Sequence, residues 1–294
     1  IEDPGGTSGR DGEGVPVRAA LKMPEEHLPE TAPSGAGWVG PAKRWAAQAG
    51  PPAVLLAAIV AGWEWAVRAF GIPFYILPAP SRIARLAVAD RGLLLGEAAV
   101  TLLEILLGFG IALVVGIGLA LLIFTSRTVE RAMYPLVIAS QTVPVFAIAP
   151  LLIVWLGYGM LSKVAMAALI VFFPIVVNTV DGLRAADPDA VNLLLILGAT
   201  PAQVLLKIRA PAALPFVFSG IRIAVATSVI GAVIGEWVGA TQGLGFLMIH
   251  ANAQLRIDLV FAAIAVLSLM AIALFVAASG AEWLLLPWRR AGNA

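Results

Sequence analysis

Long stretches without a charged side chain restrict the possible folds of this sequence more than any other feature. Six regions of this kind follow one another along the chain. They cover residues 45–63, 105–126, 132–162, 164–180, 210–235 (broken by Arg222) and 259–281. A helix of about 20 apolar residues crosses the roughly 30 Å hydrocarbon layer of a membrane. With 60% apolar residues overall, the sequence predicts an all-α, polytopic membrane protein with six transmembrane helices, the first at about residues 52–70.

The ends of the chain differ from this apolar body. Residues 1–44 combine seven acidic and five basic residues with many prolines and glycines, a composition that buries too little apolar surface to offset chain entropy. We therefore predict a disordered cytoplasmic tail at 1–44. Residues 45–96 form the first transmembrane helix and an external amphipathic segment. Residues 97–287 form a five-helix core, and 288–294 form a second cytoplasmic tail.

The distribution of lysine and arginine predicts the orientation. If both termini are cytoplasmic, twelve of these residues lie in inner segments and six, among them Lys163, in outer ones. Cytoplasmic loops of membrane proteins carry the excess of basic residues. We therefore expect a multi-pass protein of the bacterial cytoplasmic (inner) membrane, surrounded by lipid, with both termini inside.

Several classes of function are excluded by what the sequence lacks. A net charge of +1 without a basic cluster gives nothing to neutralise nucleic acid. There is no cysteine, no Gly-x-Ser-x-Gly, and only two histidines, of which His250 falls in a predicted outer loop. The sequence thus offers no catalytic nucleophile with its base and no metal site. It also lacks Gly-x-x-x-x-Gly-Lys-Ser/Thr, so we expect no bound cofactor, and any ATP must bind a partner chain.

Residues 181–211, here called the coupling segment, are too short to cross a membrane and too apolar for an ordinary loop. Asp187 and Pro188 form a helix start, and Gly198 can end that helix in the left-handed conformation. Thr200 and Gln203 form a capping box for a second short helix. We expect Pro211, together with Pro215, to end it. The leucine-rich face of the first helix either packs on this protein's own helix ends or docks on another polypeptide.

The same segment resembles a known signature. Gly198 is followed after nine residues by Ile208-Arg209-Ala210-Pro211 and then by Ala213-Leu214-Pro215. This pattern is similar to the cytoplasmic loop of the membrane subunits of binding-protein-dependent ABC importers. Asn192-Leu193-Leu194 stands where that family has Glu-Ala-Ala, and Ala210 replaces a leucine, which puts a charged contact in doubt but not the docking.

The resemblance extends over residues 77–287. The motifs that carry it are Leu77-Pro78-Ala79-Pro80-Ser81, the run 149–159, Phe173-Pro174-Ile175, Gly235-Glu236-Trp237 and Gly243-Leu244-Gly245. They resemble the nitrate, sulfonate and taurine branch, which includes permeases for thiamin-pyrimidine precursors. The run Gln141-Thr142-Val143-Pro144 favours the pyrimidine permeases.

The resemblance implies a type I ABC importer permease fold and a specific assembly. Two membrane subunits, here expected as a homodimer, form a path that two cytoplasmic ATPases open and close. A periplasmic or lipid-anchored solute-binding protein delivers a small polar organic solute. Residues 187–200 would be the helix that enters a groove on the ATPase, with Leu194 and Leu197 as anchors. The candidate coupling residues are Asp187, Asp189, Asn192, Leu194, Leu197, Gly198, Ala199 and Thr200.

Polar or backbone-exposing positions within the spans are the candidates for the path. They are Gln141, Thr142, Pro144, Phe146, Asn178, Arg222 and Glu236. Pro144 leaves the carbonyl of Ser140 without its helical donor, and Pro150 does the same at Phe146. In lipid such groups persist only beside protein or a water-filled cavity. Gln141 and Thr142 are expected on the same helix, although the prolines could equally kink a packed helix.

Charges and glycines inside the predicted spans complete the expectations. Arg222 needs a partner, because an unpaired cation at that depth costs on the order of 3 kcal/mol; Asn178 or Asp181 could supply it, with contact to the solute as the alternative. Glu236 marks an outer gate or is a carboxylate exposed to water at the interface, and Glu104 has no assigned role. Small residues allow close helix packing. Those expected to do so are Gly108, Gly110, Gly116, Gly118, Gly231 and Gly235.

An ion-coupled secondary transporter is the competing interpretation. It requires a carboxylate within the membrane for the coupling ion, and Glu104 or Glu236 could serve. That interpretation leaves the coupling segment without a purpose.

Overall fold

The computed structural model describes residues 41–288, with side chains from residue 50 onward. The predicted tails at 1–44 and 288–294 fall almost entirely outside this range. By internal contacts the chain divides into two units, Ile1–Ala57 and Ala58–Ala294. The first helix, Pro41–Ala69, begins in the first unit and ends in the second. All other described helices belong to the second unit.

Every regular element in the described range is helical. The helices are α1 (Pro41–Ala69), α2 (Pro80–Ala89), α3 (Arg91–Thr125), α4 (Arg127–Ser140), α5 (Val145–Leu156), α6 (Met160–Arg184), α7 (Pro188–Ile196), α8 (Pro201–Val204), α9 (Ala210–Gly239), α10 (Leu244–Ala253) and α11 (Ile257–Leu285). In the described part of the chain five helical stretches are long and apolar enough to cross a membrane, including Gly50–Ala69 and Pro201–Gly239. The pair α4 and α5 makes a sixth if it is counted as one span bent by 103°. The predicted all-α, polytopic class is confirmed.

The bend between α4 and α5 corrects the prediction of a single transmembrane helix within residues 132–162. Helix α4 ends at Ser140, whose carbonyl accepts from the backbone N–H of Val143 at 3.2 Å. Pro144 follows in an extended conformation and begins α5. Because proline disfavours helical geometry in the residue before it, the chain turns here. Gln141 and Thr142 therefore lie in the break and not on a helix shared with Pro150.

The helix starts predicted in the coupling segment are confirmed. The Asp187 carboxylate accepts from the backbone N–H of Asp189 at 3.0 Å. Thr200 and Gln203 form the reciprocal capping box, with bonds of 2.8 and 3.3 Å. Gly198 has a φ of 82°, the left-handed conformation that glycine adopts without steric cost. These local signals end α7 at Ile196 and begin α8 at Pro201.

The prediction that Pro211 and Pro215 end the second short helix is wrong. The chain passes from α8 through a π-helical turn, Leu205–Arg209, directly into α9. In this turn the N–H of Ala210 bonds to the carbonyl of Leu205, five residues back. Pro211 then occupies the first turn of α9, where a missing N–H is tolerated. Pro215 is accommodated inside the same helix.

Helix α6 packs closely between α3 and α9 because glycines face it from both sides. A Cβ on Gly108 of α3 would lie 2.7 Å from the Cβ of Ala167, and one on Gly231 of α9 would lie 3.0 Å from the Cα of Ala167. Ala167 is fully buried. Gly116 and Gly235 make similar contacts with α6. Small residues thus let the three helices approach closely, as predicted.

Two of the six glycines do not follow this prediction. Within the described subunit, Gly110 and Gly118 have nothing within 4 Å of the position that a Cβ would take. Both lie on α3, each two residues from a glycine that does contact α6. The helical period places them on a different face of α3 from Gly108 and Gly116.

This difference gives a direct test of the α3–α6 contact. Gly108→Val is expected to destabilise the folded protein by about 1–3 kcal/mol, the usual cost of forcing extra volume into a packed core. Thermal unfolding of the detergent-solubilised protein measures the effect. Gly110→Val, the same change two residues along the same helix, is the matched control and should leave the Tm close to that of the wild type. Equal losses in both variants would contradict this packing.

Candidate functional site

The tip of the coupling segment is exposed and apolar. Ile196 and Leu197, at the end of α7, are 83% and 74% exposed, and Leu193 and Leu195 are also exposed. Leu194, by contrast, packs against a small buried cluster that includes Val191. Each interpretation of the leucine-rich face therefore fits different residues. Leu194 packs on the subunit itself, whereas the side chains at the tip are not buried by any described residue of the subunit.

The other candidate coupling residues lie around this tip. Asp187, Asp189, Asn192, Gly198 and Thr200 are exposed, and Ala199 is half-buried beside Leu194. The segment is fixed to the helices behind it by Arg209. The Arg209 guanidinium donates to the carbonyl of Leu183 at 3.1 Å and lies 4.9 Å from the ring centre of Phe124. The coupling segment is thus attached to α6 and α3 behind the apolar tip.

The candidate path residues fall in three places. Gln141, Thr142, Pro144 and Phe146 lie at the bend between α4 and α5, where all four are largely exposed. Asn178 donates to the carbonyl of Pro174 on its own helix at 2.8 Å, near the contact of α6 with α9. Arg222 lies on α9 near that contact, and Glu236 lies fourteen residues later on the same helix.

The partner of Arg222 differs from both predicted candidates. Its guanidinium forms an ion pair with Glu282 of α11 at 2.7 Å. Asp181 instead accepts from the hydroxyl of Tyr134. The need for a partner was predictable from the cost of a buried cation, but the helix that supplies it was not, because Glu282 is 60 positions away.

A cluster of buried polar residues joins α3, α6 and α9 at the end of the bundle opposite α7. Lys163 donates to Glu104 at 2.7 Å, and both side chains are buried. Glu236 is 1% exposed and accepts from the hydroxyl of Thr101 at 2.6 Å. This burial excludes one of the two interpretations of Glu236, that of an interfacial carboxylate exposed to water. Lys163 belongs to the packed core and not to an outer loop.

The first residues of α10 are bound by side chains of α3 and α9. The backbone N–H of Gly243 donates to Glu97 at 2.5 Å, that of Leu244 to Thr101 at 2.9 Å, and that of Gly245 to Glu236 at 2.5 Å. A Cβ on Gly243 would overlap the Glu236 carboxylate, and one on Gly245 would lie 2.7 Å from its Oε2. The two glycines of the Gly-Leu-Gly motif therefore let this backbone reach a buried carboxylate.

The sequence analysis did not identify Thr101 and Glu97 as candidate site residues. The available signal was polar side chains at one-turn spacing, at positions 97, 101 and 104, in a helix that is otherwise almost entirely apolar. The partners on α9 and α10 lie more than 130 positions away, so spacing alone could not connect them.

A cavity of about 440 Å³ lies beside this cluster. Its walls include Glu236 and Trp237 from α9, and Phe246, Ile249 and His250 from α10. His250 is exposed, as expected, but it lies on α10 and not in a loop, with its ring 3.9 Å from that of Phe246. Among the described residues no group of three or more His, Asp or Glu side chains is arranged to hold a metal ion.

The apolar helices define an integral membrane protein, with charged residues buried inside the bundle and an exposed apolar tip at one end. Residues 112–287 match the family of binding-protein-dependent transport system inner membrane components, and the chain belongs to that family. It is a multi-pass permease with the type I ABC permease fold, and family members act with ABC ATPases and solute-binding proteins.

Individual relatives agree with this assignment. The chain is 41% identical over 244 residues to the formylaminopyrimidine transport permease protein ThiX of Halalkalibacterium halodurans, covering 83% of this chain and 97% of the relative. It is 39% identical to the riboflavin transport system permease protein RibX of Chloroflexus aurantiacus, covering 80% and 88%. It is 32% identical to the taurine transport system permease protein TauC of Escherichia coli, covering 65% and 69%. The predicted branch is confirmed, and the ion-coupled alternative gains no support.

Proposed function

We propose that two copies of this chain form the membrane path of an ATP-driven importer, with both termini in the cytoplasm. ATP is bound and hydrolysed by a separate ATPase, and this chain carries neither catalytic residues nor a cofactor. The tip of α7 enters a groove of that ATPase. The cargo is a small nitrogen heterocycle of the formylaminopyrimidine kind, delivered by a solute-binding protein.

The exposed tip of α7 is the observation that carries this proposal. Fully burying a side chain such as Ile196 or Leu197 is worth about 1.5–3 kcal/mol. The segment lies between the long apolar helices α6 and α9 in the sequence, and it carries exposed charged residues such as Asp189 and Lys207, which are disfavoured in lipid. The partner that can bury this tip is therefore the surface of a protein in the aqueous phase.

The proposed cargo follows from the relatives and not from a site in this chain. The permeases named for formylaminopyrimidine and riboflavin are 41% and 39% identical to it, and the taurine permease is 32% identical. Both of the former solutes are nitrogen heterocycles, whereas taurine is an aliphatic sulfonate. On its way through the membrane the solute passes the α4–α5 bend and the region of Arg222, with Glu236 at the outer end of the path.

Reconstituted transport tests this function. Proteoliposomes that contain the permease, its ATPase and its solute-binding protein are expected to accumulate formylaminopyrimidine only when ATP is present on the ATPase side. Uptake should survive proton and sodium ionophores, because no ion gradient drives it. Taurine, assayed in the same vesicles, is the control for the solute class. Uptake that requires an ion gradient would contradict the mechanism, and uptake of taurine alone would contradict the proposed cargo.

A further inference from the structure

We propose that α10 is a movable element that closes the solute path at the end of the bundle where α10 lies. The hydrogen bonds at its N-terminus, here called the latch, hold it in place. Three consecutive backbone N–H groups, of Gly243, Leu244 and Gly245, hold α10 against α3 and α9. The proposal rests on the proposed function only in assigning a path to this end of the bundle. The latch itself is a property of the isolated subunit.

The latch joins the start of α10 to side chains of two other helices, α3 and α9. Glu97 and Thr101 stand one turn apart on α3, and Glu236 stands on the last turns of α9. The hydroxyl of Thr101 connects the two sides, because it accepts from the N–H of Leu244 at 2.9 Å and donates to Glu236 at 2.6 Å. Removing this one hydroxyl therefore weakens the bond to α10 and the support of Glu236 together.

Charge explains why the latch holds α10 in the closed position. Glu97 and Glu236 lie at this point, and Glu104, which is bonded to Lys163, lies beside Glu236. The first N–H groups of a helix have no intrahelical partners and carry partial positive charge. The N-terminus of α10 thus supplies donors that the carboxylates would otherwise lack. In the absence of α10, Glu236 Oε2 would lose its backbone donor.

The same contacts determine how the latch can open. A buried carboxylate that loses a donor is strongly disfavoured unless water replaces the lost bond. Helix α10 can therefore leave Glu97 and Glu236 only as water enters. Such movement would widen the cavity of about 440 Å³, which is lined by Glu236 and by the exposed His250. Opening of the latch and hydration of this end of the path are one event.

The backbone on both sides of α10 is suited to a hinge. Gly243 precedes the helix with a φ of 115°, and Leu255 follows it with a φ of 57°. Leu255 is the sole non-glycine residue with positive φ among those the structure describes. Such a conformation is disfavoured for a leucine and persists where the surroundings impose it. Helix α10 has only ten residues, too few to span the membrane, so it can move without unfolding a transmembrane helix.

Cysteine labelling tests the latch directly, since the chain contains no native cysteine. Ala251 lies on α10 and is 2% exposed, so Ala251→Cys introduces a small buried thiol with little change in volume. A water-soluble maleimide is applied to the purified subunit, without ATPase or solute. With Thr101→Val added, labelling is expected to be about tenfold faster, because the buried N–H of Leu244 loses its acceptor.

Thr179→Val in the same Ala251→Cys background is the matched control. Thr179 is also a buried threonine, but its hydroxyl donates only within its own helix, to the carbonyl of Ile175 at 2.6 Å. Labelling in this control should match that of the single Ala251→Cys variant. Equal rates in the Thr101 and Thr179 variants, whether both slow or both fast, would overturn the proposal.

A second variant keeps the test decisive if Thr101→Val fails to fold, as judged by gel filtration. Glu97→Gln replaces a half-buried carboxylate by a neutral acceptor of the same shape, and it should also accelerate labelling of the thiol introduced at position 251, by a smaller factor. No acceleration in a folded Glu97→Gln variant would overturn the latch. Since neither variant is assayed for transport, a failed uptake experiment leaves this result standing, and a failed latch leaves the ATPase docking and the cargo unaffected.

Discussion

Leu197→Asp is expected to abolish the stimulation of ATP hydrolysis by the loaded solute-binding protein, while the permease remains folded in the membrane. Leu197 is 74% exposed at the end of α7, so an aspartate there costs the isolated subunit little. In a complex the same change removes an apolar anchor worth about 1.5–3 kcal/mol. It also places an unpaired charge in the contact, which adds a penalty of several kcal/mol. Together these terms reduce the affinity for the ATPase by more than roughly a thousandfold, on the order of 1.4 kcal/mol for each factor of ten.

The measurement is co-purification of the ATPase with the permease, followed by ATP hydrolysis in proteoliposomes with and without binding protein and solute. Leu197→Met is the matched control, because it keeps an apolar side chain of similar volume at the same position, and it should retain both assembly and stimulation. Wild-type stimulation in Leu197→Asp would show that the tip of α7 is not the coupling contact. Leu194→Asp is unsuitable for this purpose, since Leu194 belongs to the subunit's own core.

The features that the sequence predicted correctly are those encoded within a few residues. The spans follow from runs without charge, because the cost of a charge in lipid acts on each helix separately. The starts of α7 and α8 follow from Asp187 and Thr200, whose side chains bond N–H groups two or three residues away. Gly198 ends α7 for the same local reason. The loop signature of the family lies in this segment, so the family was also recognisable from the sequence.

The features that the sequence missed depend on neighbours distant in the chain. Pro144 and Pro211 both lie in apolar runs, yet one accompanies a bend of 103° and the other enters a helix through a π-turn. Local rules for proline allow both outcomes, and packing selects between them. The partner predicted for Arg222 was wrong because the real one comes from α11. Glu236 accepts a hydrogen bond from Thr101, 135 positions earlier. Single-sequence spacing carries no information on such pairs.

The buried pair of Lys163 and Glu104 is expected to affect the stability of the folded protein. The Glu104 side chain is fully buried and that of Lys163 nearly so, and one oxygen of Glu104 has no hydrogen-bond donor within the described residues. Taking two charges out of water is costly, and their attraction offsets that cost only while both are present. The pair therefore stabilises the junction of α3 and α6 less by its own strength than by the penalty for breaking it.

Lys163→Met is accordingly expected to destabilise the protein by about 3–5 kcal/mol, because it leaves Glu104 without its cation beside a second carboxylate. Thermal unfolding in detergent measures the loss. Adding Glu104→Gln to the same chain removes the uncompensated charge and should restore most of the stability, although Lys163 is still absent. Lys207→Met, the same substitution at an exposed position, controls for the loss of a lysine as such. A double variant no more stable than Lys163→Met would show that the lysine acts through its packing, and that charge balance does not hold this junction together.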